Sequence, residues 1–323
     1  MHVDAVALTP DNLHLCVPLW GGAETYASSE MANVVAAAKL LLRQKRALGA
    51  VVLENGRTRA FGMTTFGDTA LIDRYLQDPH PHIGKRLLLA AQEPRSRAVL
   101  DRDRIAECNA GRGLQLIVVN TGIDPAAHEP DHVLGRLISA FFDTHRGYRI
   151  ARIVNEVFGE MAVSIVVKSG SYEIVRIFDL STPGGTLRSL VGTLTREQAA
   201  TSKNPLLVMF SYSPPRLRFT RAEQQLLSEA LVGATDDTLS ARLGIPLTAV
   251  KSRWARIQDR ASAALPELFR HVPEAPHGGR GVQTRHLILQ YVREHPSELT
   301  PYGRPRSRGH HHRVTQPTAQ RLS

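Results

Sequence analysis

Cysteine is nearly absent from this chain. Of its 323 residues only Cys16 and Cys108 are cysteines, and they match no zinc or redox spacing. That excludes a disulfide framework and makes a reducing cytoplasm the expected compartment. Aromatics make up 6%, too few for a surface that stacks the bases of single strands. No run approaches the roughly 18 unbroken apolar residues of a membrane helix, so no membrane partner is expected. The start, MHVDAVALTPDNLHLCVPLW, lacks the basic stretch and apolar core of a signal peptide. Serine nucleophile elbow, phosphate loop and zinc-protease motif are all missing, as is any internal repeat.

What is present suits a folded protein with a sizeable core: 42% hydrophobic and 22% charged residues. The net charge is +10, unevenly placed: residues 212–323 hold 17 Lys and Arg against 9 Asp and Glu, whereas residues 1–211 hold 23 against 21. A near-neutral part joined to a basic one fits the binding of an acidic polymer at the C-terminal end.

Apolar spacing predicts a helix over residues 28–46, then two strands joined at Asn55-Gly56, where both turn residues need positive φ. Helix is expected through LLLAA and again over 98–107, and the run LQLIVVN (114–120) reads as a buried strand. Residues 132–146 place Val133, Leu134, Leu137, Ile138, Phe141 and Phe142 on one helical face. IARIVNEVFGEM is expected to be a second helix and SYEIVRIFDL a strand. Alternating elements predict an α/β (α+β) domain over 1–208 that senses or dimerises. A linker is expected at 209–218, a small all-α domain at 219–265, a C-terminal helix at 281–296 and a disordered basic tail at 300–323.

Three helices fit into 219–265. Thr220 and Glu223 form a capping box, Gly233 and Gly244 suit helix ends, and Ile245-Pro246 turns the chain. Two short helices around such a turn make the helix-turn-helix pattern. On the third helix Val250, Trp254 and Ile257 form the buried stripe. Thr248, Lys251 and Ser252 are then candidates for reading bases, and Arg253 and Arg256 for holding phosphates. The same pattern also describes a solvated basic face on a structural helix.

The run FTRAEQQLLSEALVGATDDTLSARLGIPLTAVKSRWARI resembles the LuxR-type C-terminal helix-turn-helix, and LGIPLTAVKSR is similar to region four of extracytoplasmic-function sigma factors. Ser240 and Pro246 depart from that pattern, and Ala255 stands where relatives carry a contacting residue. The resemblance implies a DNA-binding transcriptional regulator rather than an enzyme. Double-stranded DNA is its expected partner, with a homodimer, RNA polymerase and an unknown small-molecule effector as further ones. No cofactor is expected.

The hairpin, LQLIVVN and the helix at His132 are weakly similar to GNAT-type acetyltransferases, in which a glycine-containing loop and a helix N-terminus hold the pyrophosphate of acetyl-CoA. Here only Gly135 matches that loop, Leu137 stands where a small residue is needed, and Glu129 and Asp131 are acidic. The alternative expectation is therefore a GNAT-like N-acyltransferase with an accessory C-terminal interaction domain. Lesser candidates are Asp78, His80 and His82 for a metal, His310 to His312 in the tail, and Arg146, Arg149 and Arg152 for an anion.

Overall fold

The computed structural model describes residues 2–303 apart from 79, 94, 170, 171 and 271–279. The basic tail expected beyond residue 303, with His310 to His312, lies outside the described residues.

Asn55 and Gly56 both adopt positive φ, 50° and 78°, and close a hairpin between β2 (Ala47–Glu54) and β3 (Arg57–Gly67) as expected. Strand β1 (Val3–Ala7) lies beside β2, after which α1 (Ser28–Arg43) intervenes. Three short helices follow β3: α2 (Thr69–Gln77), α3 (Ile83–Gln92) and α4 (Arg102–Ala110). Then come β4 (Leu114–Ile123), α5 (Pro130–His145), β5 (Ile150–Phe158) and α6 (Glu160–Ser169). The hairpin β6 (Glu173–Thr182) and β7 (Gly185–Thr195) completes one mixed seven-stranded sheet, ordered β1-β2-β3-β4-β5-β7-β6, and α7 (Arg196–Thr201) follows it.

Strand β5 replaces the helix expected for IARIVNEVF, and the reason is visible in its burial. Ile150, Ile153, Val154 and Val157 are all buried, some toward each face of the sheet. A strand covered on both faces loses its period-two alternation. Here the remaining apolar positions fall at i, i+3, i+4 and i+7, which is helical spacing by accident.

One face of the sheet packs Phe61, Met63, Ile117 and Val119 against α1, α3 and the 3-10 turns of Leu13–Leu19. The other packs Leu114, Leu116, Val118 and Ile153 against Met209 and Phe210, and Val52 and Ala60 against Val133 and Leu137 of α5.

Helices α8 (Arg221–Leu231), α9 (Asp236–Leu243), α10 (Leu247–Ala264) and α11 (Arg280–Glu294) share a separate core. Leu226, Leu227, Leu239, Val250, Trp254, Ile257, Ile288 and Val292 fill it. Each of the leucine, isoleucine and valine side chains among them contributes about 1.5–3 kcal/mol on burial.

Buried polar contacts join the two cores. The carboxylate of Glu298 accepts the backbone N–H groups of Arg216, Leu217 and Arg218, and the amide of Gln224 donates to the carbonyls of Glu298 and Thr300. Across the junction, Thr300 Oγ1 donates to the Gly147 carbonyl and Asn109 Nδ2 to that of Pro301. Residues 209–218 are held at both ends: Met209 and Phe210 lie in the sheet's core and Leu217 in the helical one.

Candidate active site

Strands β4 and β5 are the sheet's one parallel pair among the described residues, and they are paired only as far as Val118 and Asn155. Beyond that point β4 continues to Ile123 and β5 to Phe158, so the two strands part. Beside the split, the pairing of β4 with β3 steps from Asn120 to Val118 and leaves Val119 bulged. Bulges re-aim backbone groups, and they are frequent beside functional sites.

Two pieces of chain sit against the split. The first is the start of α3. A Cβ on Gly84 would overlap the Val119 carbonyl oxygen, so only glycine lets the helix come this close. Glu156, 5% exposed on β5, caps that helix: it accepts the N–H of His82 (2.8 Å) and of Ile83 (2.6 Å), and the Ser189 hydroxyl (3.0 Å). Burial raises the Glu156 carboxyl above its ordinary value, against the lowering effect of those donors. The second piece is Gly21-Gly22. Asn120 Oδ1 accepts from the Gly21 N–H and its Nδ2 donates to the Gly21 carbonyl, both at 2.9 Å.

His82 lies between these pieces. Its ring stacks on Phe158 at 5.3 Å and meets the edge of Tyr26 at 5.0 Å. Burial depresses its pKa to about 4, so the ring is neutral at pH 7. The tautomer follows from the hydrogen bonds. The Thr25 hydroxyl donates to the Gly22 carbonyl (2.6 Å) and so accepts from His82 Nε2–H (3.1 Å). The Nδ1 lone pair is left buried and without a partner. Close by, Lys85 is bonded to Glu30 and lies 4.5 Å over the Tyr26 ring.

Helix α5, which follows β4, begins without a side-chain cap on its Glu129 N-cap. Val133 is the first residue to reach an intrahelical acceptor, the Glu129 carbonyl, so the N–H groups of Asp131 and His132 remain outside the ladder. Leu137 is buried against the sheet rather than standing over that helix start, which corrects the expectation that it blocks a close approach. A Cβ on Gly135 would meet nothing within 4 Å. Asp124 in the preceding loop accepts from the Ala126 N–H and pairs with Arg59 at 2.5 Å, and these two contacts hold its carboxyl below the ordinary range.

The residues expected to contact DNA sit on the outer side of α10. Thr248, Lys251, Ser252, Ala255 and Arg256 are exposed and Arg253 is half-buried, while Val250, Trp254, Ile257 and Ala261 close the core. Arg260 reaches Glu223 at 3.5 Å. Of the suggested metal ligands, His80 and Asp78 pair with one another at 2.6 Å, whereas His82 turns into the split. No group of three or more metal-ligating side chains occurs among the described residues, and no helix among them is long and apolar enough to cross a membrane. Of Arg146, Arg149 and Arg152, the last is committed elsewhere, to Gln115 and Asp73.

Sequence reasoning missed Glu156, Asn120 and the Gly21-Gly22 pair. Glu156 carried a usable signal, since a lone acid inside the apolar run of β5 has to find buried donors.

No family model matches the chain, and no curated protein sequence is similar to it. Solved structures similar in fold include the ribosomal-protein-S18-alanine N-acetyltransferase from Escherichia coli, at 14% identity and TM-score 0.35 over 60% of this chain and 94% of that one. A polyamine N-acetyltransferase from Drosophila melanogaster aligns at 13% identity and TM-score 0.37, over 59% of this chain and 100% of that one. A putative acetyltransferase from Salmonella typhimurium aligns at 14% and 0.34, over 60% and 94%. These findings correct the expectation of a LuxR-type DNA-binding regulator that is not an enzyme, because the chains found are acetyltransferases. The physical reason for the misreading is that a basic amphipathic helix presents the same pattern whether its polar face meets DNA or water. At such identities the likeness concerns fold alone.

Proposed function

We propose that the chain is a GNAT-type N-acyltransferase, moving an acyl group from an acyl-CoA thioester to an amine, with α8–α11 docked on it as an accessory interaction unit. The parting of β4 and β5 beside the uncapped start of α5 carries this reading. Free N–H groups at a helix start suit a diphosphate, so Asp131 and His132 would hold that end of the coenzyme through their backbones. The Glu129 and Asp131 side chains oppose it electrostatically. When bound, the coenzyme supplies the activated acyl thioester.

The chain's own residues then have distinct tasks. His82 Nδ1 would accept a hydrogen bond from the incoming amine, take its proton as the C–N bond forms and the thioester C–S bond breaks, and hand that proton to the departing thiolate, which its low pKa favours. Phe158 and Tyr26 hold the imidazole in place and exclude water. Glu156 positions His82 by fixing the start of α3. The Gly21–Asn120 contact covers the split and has to open for substrate entry.

The test is to incubate the full chain with acetyl-CoA and a panel of primary amines and N-terminal peptides while following thiol release. The reading expects amine-dependent release, and a kcat reduced roughly a hundredfold in His82→Phe with KM for acetyl-CoA unchanged. Absence of both acetyl-CoA binding and thiol release overturns it.

A further inference from the structure

Helix α5 has one side that its own chain leaves uncovered. Val133, Leu137 and His145 face inward and are buried. Gly135, Arg136, Ile138, Ser139 and Asp143 are exposed, and Phe142 is half-buried. At 3.6 residues per turn, Gly135 and Ser139 fall in the middle of that outer side. Ile138 and Phe142 then flank them on one edge, and Arg136 and Asp143 on the other. Ile138 is 39% exposed, and Val208, which lines the same cleft as Phe142, is 57% exposed. Contiguous apolar surface of this kind marks a contact site.

Two features of that side have no use within a single chain. Glycine inside a helix is less stable than alanine, and a Cβ on Gly135 would meet nothing within 4 Å, so no neighbour in the chain requires it. With Ser139 one turn further on, it leaves the backbone open to close approach by another helix. Arg136 and Asp143 lie about 10 Å apart along the axis, too far to pair with each other. Neither forms an ion pair among the described residues.

We propose that this face is the two-fold interface of a homodimer, with α5 of one copy antiparallel to α5 of the other. The residues select that occupant, because the face is complementary to itself about an axis near residues 139 and 140. Ile138 meets the partner's Phe142, and Arg136 meets the partner's Asp143, each contact occurring twice. Gly135 and Ser139 lie near the crossing, where bulk would hold the helices apart. Asp131 and Arg146, toward the two ends, are matched in the same way. Antiparallel helix dipoles add to the attraction. A parallel pairing would set Arg136 beside Arg136 and Asp143 beside Asp143, so charge fixes the direction. One helix pair is at the small end of specific interfaces, and dissociation in the micromolar range is expected. The proposal is independent of the acyltransferase reading, since no coenzyme or substrate enters it.

Sedimentation velocity of the full chain without coenzyme, from about 1 to about 200 µM, tests it through the monomer–dimer equilibrium it expects. Gly135→Leu puts a side chain at the crossing and should weaken the dimer at least about tenfold. Thermal unfolding at low concentration should find that variant no less stable, since leucine is the better helix former. Arg136→Glu and Asp143→Arg should each weaken the dimer about tenfold, because like charges then face one another at two symmetric places. Combined in one chain, the two reversals restore opposite charges and should return the affinity to within about threefold of wild type. That restoration is peculiar to the antiparallel pairing. A chain that stays monomeric across the whole range overturns the proposal. So does a dimer indifferent to Gly135→Leu, or one that the double reversal fails to restore.

Discussion

Each half of the molecule contains a buried carboxylate that accepts backbone N–H groups, and the two are used differently. Glu298 in the helical half accepts the N–H groups of three successive residues, and the Tyr291 hydroxyl besides. The donors that reach it are all paired with it within the protein, and its effect is to hold the chain together. Glu156 in the sheet also caps backbone, but at a place where two strands part and an imidazole nitrogen beside it has no partner. Buried polarity that is fully satisfied serves architecture. Buried polarity with an unused valence at an opening is where chemistry is to be sought.

The largest effect is expected from breaking the architectural member of this pair. Glu298→Ala leaves three N–H groups and a hydroxyl unmatched, at about 1–3 kcal/mol for each one that stays buried without a partner. Urea unfolding followed by Trp254 and Trp20 fluorescence, with each tryptophan replaced in turn by Phe, should show the helical half losing stability first.

Acidification probes both halves of the sheet region. Burial lowers His82 and His145 to about 4 from 6.5. A base whose pKa is depressed by folding stabilises the fold fully above pH 6.5, and that contribution is lost as pH falls from 6.5 toward 4. Each histidine should then remove up to about 1.4 kcal/mol per pH unit in that window. Glu156, raised by burial, acts in the opposite sense: its cost grows as pH rises above the ordinary carboxylate range. Unfolding curves between pH 7.5 and 4.5 measure the slope, and His145→Gln should roughly halve it.

A smaller change sharpens the account of the split. Asn120→Ala removes both hydrogen bonds to Gly21 and should cost about 1–3 kcal/mol. It should also speed hydrogen exchange in the Gly21-Gly22 cover, where Leu41→Ala, a core substitution at least as costly, should not. The smallest effect belongs to the outer face of α10. Lys251→Ala with Arg256→Ala should shift stability by less than about 0.5 kcal/mol and leave thiol release unaltered, because those side chains are exposed.

Much of this architecture was legible beforehand. The Asn55-Gly56 turn, the buried run at 114–120 and the helix of 132–146 each carry a local signal and are found where that signal put them, although Ile138 of the expected apolar stripe is exposed. β5 was not legible, because burial on both faces gave it helical spacing. The candidate site was harder still. Asn120, Glu156, His82 and Gly21 come from four separate stretches and are assembled only when the sheet forms. A side-chain amide bonding to a glycine 99 residues away leaves no trace in local pattern. The α10 face erred the other way: its pattern was clear but fitted two surroundings equally well.

The central claim is that the chemistry lies at the β4–β5 split and the start of α5. Its most direct test is calorimetric titration of the full chain with acetyl-CoA, alongside a variant carrying Glu129→Gln and Asp131→Asn. The account predicts one saturable site that weakens with salt, and several-fold tighter binding in the variant once the two opposing carboxylates are gone. Absence of binding in both proteins, or binding indifferent to the substitutions, would contradict it.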